Sequence, residues 1–268
     1  MRRGNTVAAD GTRIAWRIWG EAAGPQAPAV ACVHSLALDG GIWAGVAAAL
    51  DGRARLLAID CRGHGNSARA PGPYATAQMA DDLAAVMDAL GWGRAVVAGC
   101  SMGGCVALDF AARHAARTAG LVAMDTTAWY GPDAPVQWRQ RAETGLRDGL
   151  AALRPFQAAR WFSAGFSAAH PDVLVHWLDV FTATDPDCYA AACRMLGDAD
   201  LRPLLARIAA PTRVLVGEQD EATPPAMARS IAEAIPGATL TILPGARHIT
   251  PVECPAPIAA AIAGLLEA

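Results

Sequence analysis

Aromatic residues make up only 6% of this chain, and neither sign of charge dominates it: 18% of residues are charged and the formal net charge is −3. No basic stripe or tail is present, which argues against the electrostatic footprint of a nucleic-acid-binding surface. No apolar run approaches the ~20 residues of a bilayer-crossing helix, so no membrane association is expected. The opening Met1-Arg2-Arg3-Gly4-Asn5 is followed by no apolar h-region, which argues against a secretory signal and for a cytoplasmic location. No CxxC pair occurs. The seven cysteines (Cys32, Cys61, Cys100, Cys105, Cys188, Cys193 and Cys254) are odd in number and scattered, mostly in apolar segments. Reduced, buried thiols suit that pattern better than a disulfide framework. No two histidines stand at i, i+4, and no metal site is expected.

What is abundant is alanine and other apolar residues, 53% hydrophobic over 268 residues. A chain of that size buries a substantial core, and one domain carrying an insertion is expected rather than two independent domains. The first third alternates strand-like and helix-like runs. Strands are expected at Ile14 to Trp19, Ala29 to His34, Arg55 to Asp60, Arg94 to Ala98 and Thr118 to Met124. Helices are expected at Ile42 to Leu50, from a Thr76 cap through Leu90, and from Met102 to about Arg113. Such alternation implies an α/β fold: a mostly parallel central sheet flanked by helices. The rhythm breaks between residues 128 and 205, where helical stretches carry most of the aromatics. It resumes with strands at Thr212 to Gly217 and Thr239 to Leu243 and helices at Pro225 to Ile235 and Pro257 to Leu266. Residues 1–127 and 206–268 are therefore read as a core, and 128–205 as a helical lid inserted after the strand that follows the Met102 helix.

The densest signal is Gly99-Cys100-Ser101-Met102-Gly103-Gly104, directly after an apolar strand. A serine at the apex of a sharp strand-to-helix turn needs glycine two residues before and two after, because side chains there collide with strand and helix. The turn lifts the hydroxyl into a cleft, but a serine hydroxyl is a weak nucleophile without a base that a third group orients. Where serine leads, an acid and then a histidine follow on loops after later strands. Asp220 follows one such strand and His248 the last one. Of six histidines only His248 has that position: His34 and His64 belong to early loops, His114 to a helix end, His170 and His176 to the lid. Asp125, at the end of the strand after the Met102 helix, is the competing carboxylate; Glu221 reads as a solvated charge. The backbone N–H groups of Met102 and Leu36 are the candidate oxyanion donors. His34 and the Gly-punctuated loop Asp60-Cys61-Arg62-Gly63-His64-Gly65-Asn66-Ser67 are assigned a bracing role.

Together, HSLA, DCRGHGNS, GCSMGG, GEQD and the late ARH resemble the α/β-hydrolase fold superfamily. The longer runs VHSLALDGGIW, ARWFSAGF, TDPDCYAAACRMLGDADLR, DEATPPAMARSIAEAIPGA and ARHITPVECP are most similar to the 3-oxoadipate enol-lactonases (β-ketoadipate enol-lactone hydrolases). The resemblance spans nearly the whole chain. It implies cofactor-free hydrolysis of a small anionic enol-lactone in aromatic-compound breakdown, by Ser101, His248 and Asp220. Two positions depart from the family's habit: Ala37, where glycine is more usual, and Arg247, an arginine beside the base. A substrate carboxylate would need a lid cation or donor, and Trp138 with Arg139 or Arg141, and Arg160 beside Trp161, are the candidates. Two other readings stand beside this one: a carboxylesterase or cofactor-free perhydrolase acting on small neutral esters, and a ligand receptor that retains the triad.

Overall fold

The computed structural model describes residues 1–267. Eight strands, β1 (Arg2–Val7), β2 (Arg13–Trp19), β3 (Ala29–Val33), β4 (Arg55–Ile59), β5 (Ala95–Cys100), β6 (Thr118–Met124), β7 (Thr212–Gly217) and β8 (Thr239–Leu243), form one sheet. Their order is β1-β2-β4-β3-β5-β6-β7-β8. β2 runs antiparallel to both its neighbours; from β4 to β8 every pairing is parallel. Parallel strands need helical crossovers, and these put apolar helices on both faces. That is why β3, β5 and β6 read as near-continuous apolar runs buried on both sides.

The helices are α1 (Ala44–Ala49), α2 (Thr76–Ala89), α3 (Met102–Arg113), α4 (Ala134–Asp148), α5 (Arg154–Trp161), α6 (Ala164–Ala169), α7 (Pro171–Ala183), α8 (Pro186–Asp198), α9 (Arg202–Leu205), α10 (Pro225–Ala234), α11 (Thr250–Glu253) and α12 (Pro255–Leu266). Helix α3 lies almost wholly buried against the sheet, with Cys105, Val106, Leu108 and Phe110 in the core. Helices α4 to α9 occupy the span between β6 and β7; strand pairing there is limited to an isolated bridge between Trp129 and Asp200 among the described residues.

The expected elements are present with shifted ends, and two differences have clear causes. Strand β1 was not anticipated, because its Arg-Arg-Gly-Asn-Thr-Val run lies at the sheet edge and buries little. Thr76 does not cap α2: it is the first helical residue, after Ala75, and its hydroxyl donates to Asp109 Oδ2 at 2.6 Å. A tertiary acceptor on α3 has taken the hydroxyl that the sequence offered to the helix end. All seven cysteines are unpaired, six of them buried and Cys254 partly so. Among the described residues no helix is long and apolar enough to cross a membrane.

Candidate active site

Strand β5 delivers Ser101 to the end of the sheet and α3 begins at the next residue. Ser101 takes φ 56° and ψ −118°, a strained conformation that lies outside the regions ordinary side chains occupy. The glycines explain how the turn closes. A Cβ on Gly99 would overlap the Gly103 carbonyl, one on Gly103 the Val33 carbonyl, and one on Gly104 the Thr126 side chain.

Three loops at the carboxyl ends of the strands meet over this turn. His248, after β8, places Nε2 2.9 Å from Ser101 Oγ and Nδ1 2.8 Å from Asp220 Oδ2. Asp220, after β7, is held by its own loop: Oδ1 accepts the N–H groups of Ala222 and Thr223, and Oδ2 also accepts the Thr223 hydroxyl. Burial alone would push the Asp220 carboxyl up, but the His248 charge and these bonds outweigh it and hold it below the ordinary value. For His248, burial opposes the imidazolium; the charge and hydrogen bond of Asp220 win, and its pKa lies above the usual 6.5.

Asp125 is turned to another task. Its Oδ2 accepts the N–H and hydroxyl of Thr250, at 3.0 and 2.6 Å, and its Oδ1 accepts the Gly217 N–H. Burial, reinforced by the Asp220 charge, pushes this carboxyl up to about 7. It ties the ends of β6, β7 and the His248 loop together from beneath. Glu221 points outward, its side chain 64% exposed.

The opposite wall is the loop after β3. Leu36 lines the cavity, and Met102 is fully buried beneath it. Neither backbone N–H has a hydrogen-bond partner among the described residues. His34 braces this loop: Nδ1 donates to the Ser35 carbonyl at 2.7 Å and Nε2 accepts the Cys61 N–H at 2.8 Å. Ala37, where the resemblance favours glycine, has φ 56° with its Cβ fully buried; glycine occupies that region freely. Behind it the Asp60 loop forms a buried frame. Asp60 accepts one Arg17 nitrogen, Nη2, through both carboxylate oxygens, and also the N–H groups of Gly40 and Asn66. Arg62 makes a bidentate pair with Asp82 at 2.8 and 2.7 Å.

Ser101 and His248 open into a cavity of about 260 Å³. Its far side is built from the segment between β6 and β7: Tyr130, Trp138 and Arg141, then Phe156, Arg160 and Trp161. Trp138 and Arg141 share a face of α4 because residues three apart do so. Arg139, one position round at about 100° per residue, is exposed and does not reach the cavity. Arg141 donates Nε–H to the Tyr189 hydroxyl at 2.7 Å and lies over the Trp138 and Phe156 rings, with no carboxylate partner among the described residues. Arg160 donates to the Glu221 carbonyl, and burial together with the nearby Arg141 charge lowers its pKa. Tyr130, Phe156, Gln157, Ser35 and Ala222 also line the cavity and were not foreseen. For Gln157 and Phe156 a signal existed: they lie one turn before Arg160 and Trp161 on α5. Ser35 and Ala222 carry none, being ordinary loop residues.

Known proteins share this fold. The sequence model of the family described as alpha/beta hydrolase fold matches residues 28–255. 3-Oxoadipate enol-lactonase 2 of Acinetobacter baylyi is 30% identical over 251 residues, covering 94% of this chain and 92% of that protein. The crystal structure of the enol-lactonase from Burkholderia xenovorans superposes with a TM-score of 0.93 at 36% identity, over 99% of this chain and 100% of that one. A thermophilic esterase from Thermogutta terrifontis, solved with malate bound, superposes at 0.90 with 31% identity over 100% and 98% of the two chains. The chain belongs to the alpha/beta hydrolase fold family and is a hydrolase whose relatives include enol-lactonases and esterases.

Proposed function

We propose that this chain is a serine hydrolase that opens a small anionic lactone of the 3-oxoadipate enol-lactone type, without a cofactor. One observation carries the reading: the Ser101–His248–Asp220 hydrogen-bond chain and Arg141, a guanidinium with no carboxylate partner among the described residues, line or flank one cavity. An unpaired cation held against aromatic rings is costly unless a ligand supplies the counter-charge. A neutral ester does not use it. The substrate carboxylate sits at Arg141, with Arg160 adding positive potential and Trp138 and Trp161 holding the ring.

In the reaction His248 Nε2 takes the Ser101 proton while Asp220 steadies the imidazolium. Ser101 Oγ attacks the lactone carbonyl, and the oxyanion is held by the N–H groups of Leu36 and Met102, the latter at the positive end of α3. The ring C–O bond breaks and the departing oxygen takes the proton from His248. The leaving group stays tethered to the acyl-enzyme until water, activated by His248, releases a dicarboxylate. Residues 128–205 act as the lid, over a core of residues 1–127 and 206–268. The unpaired cysteines suit a cytoplasmic enzyme, and the resemblance to the 3-oxoadipate enol-lactonases implies a place in aromatic-compound breakdown.

The test is kcat/KM on 3-oxoadipate enol-lactone and on p-nitrophenyl acetate. A strong preference for the lactone is expected, with Ser101→Ala lowering kcat by ~10⁴-fold. Arg141→Met should raise KM for the lactone and leave the neutral ester nearly untouched. Brisk ester turnover with a sluggish lactone would discard the substrate and keep the triad; equal effects of Arg141→Met on both would discard the carboxylate contact.

A further inference from the structure

The end of α5 is held by the loops that carry the base and the acid. A helix leaves its last carbonyls without intrahelical partners, and here other loops supply them. The Trp161 carbonyl accepts the N–H groups of His248 and Ile249, both at 3.1 Å. The Ala159 carbonyl accepts the Arg247 guanidinium. Just beyond, Glu253 on α11 bridges the junction, accepting the Ser163 N–H through Oε1 and the Arg247 N–H through Oε2, each at 2.9 Å. The acid loop joins in through Arg160, which donates to the Glu221 carbonyl at 2.7 Å, one residue from Asp220. The His248 amide is thus anchored by α5 and not by its own loop. The same Trp161 whose carbonyl holds it also lines the cavity, and its ring packs edge-on against Phe181, centroids 5.7 Å apart.

We propose that Glu253 is a positioning residue: by clamping Ser163 and Arg247 in one carboxylate, it couples the seating of α5 over the cavity to the aim of His248 at Ser101. This rests on the reading of His248 as the base. Glu253 does not line the cavity, so its contribution falls on the chemical step and not on substrate binding. Arg247, where the sequence departs from its resemblance, adds a side-chain strand to the same junction. A misaimed base is slow even when every catalytic group is present, because proton transfer depends steeply on sub-ångström geometry.

Glu253→Gln is near-isosteric but places an NH₂ donor opposite a backbone N–H. The measurements are kcat and KM on the lactone and on p-nitrophenyl acetate, with the rate of Ser101 phosphonylation by a small fluorophosphonate. All are taken on protein shown folded by circular dichroism at the assay temperature. The expected result is a fall of about tenfold in kcat and in phosphonylation, with KM within about twofold of wild type. Glu253→Asp, which keeps the charge but draws it back by one methylene from the Ser163 and Arg247 N–H groups, should move the same two rates in the same direction by about threefold, and it carries the test if Glu253→Gln does not fold. Rates within twofold of wild type, or a raised KM with kcat held, overturn the proposal. Ser101→Ala separates the two readings: if it abolishes turnover while Glu253→Gln is fully active, only the coupling fails; if it retains turnover, the triad reading fails with it.

Discussion

At the scale of single residues, the site turns on which of two buried carboxylates faces His248. Both follow strands, and both Asp220 and Asp125 are spaced so that either suits an acid in a Ser…acid…His order. The sequence favours Asp220 over Asp125, and the folded chain separates them by giving His248 Nδ1 to Asp220 and the Thr250 hydroxyl to Asp125. Asp220→Asn should therefore lower kcat by ~10³–10⁴-fold. It should also move the acid limb of the pH profile. On the proposed mechanism His248 must be neutral to take the Ser101 proton, so kcat/KM should rise with pH through that group's pKa, which Asp220 holds above 6.5 against the opposing effect of burial. With Asp220 neutralised, burial prevails and the limb shifts to lower pH; an unmoved limb would show that Asp220 does not charge-stabilise the ring. Asp125→Asn turns an NH₂ towards the Gly217 or Thr250 donors and should cost about 1–3 kcal/mol in urea unfolding, with a rate loss small beside that of Asp220→Asn. Comparable rate losses would make Asp125 the functional acid.

At the scale of elements, the strand–turn–helix about Ser101 was legible because its requirements are local. Glycines at 99 and 103 are what two close backbone approaches demand, and those approaches follow from the turn itself. Gly99→Ala, with its Cβ driven into the Gly103 carbonyl, should cost about 3 kcal/mol and lower Tm by roughly 10 °C. A Tm within a degree or two of wild type would mean the turn relaxes more freely than its packing suggests. Helix α4 is the counter-example. Its composition announced a helix, and periodicity alone separates Arg141 from Arg139, yet which face meets the cavity depends on its packing against α8, where the Tyr189 hydroxyl accepts the Arg141 Nε–H. The same holds for Thr76, whose hydroxyl satisfies Asp109 on a different helix instead of its own helix end.

At the scale of the whole molecule, the loops around the cavity are held by a buried polar frame that no short motif describes in full. Arg62 and Asp82 are 2% and 3% exposed at the side chain and pair bidentately across 20 positions of sequence. Arg62→Met would strand Asp82 and should cost about 3–5 kcal/mol; an unfolding midpoint close to wild type would show that Asp82 finds another partner or is neutral. Alternating β and α periodicity, the glycine-flanked serine, and the order serine, acid, histidine were determined by the sequence itself, since each is a short-range consequence of backbone sterics or of where strands end. The sheet-edge strand β1, the pairing of His248 with Asp220 and of Thr250 with Asp125, the face of α4 that meets the cavity, and the junction of Trp161, Arg247 and Glu253 were decided only by the tertiary structure. Each of those depends on groups distant in sequence competing for the same hydrogen-bond partner or the same buried surface, and such competition is settled when the elements pack.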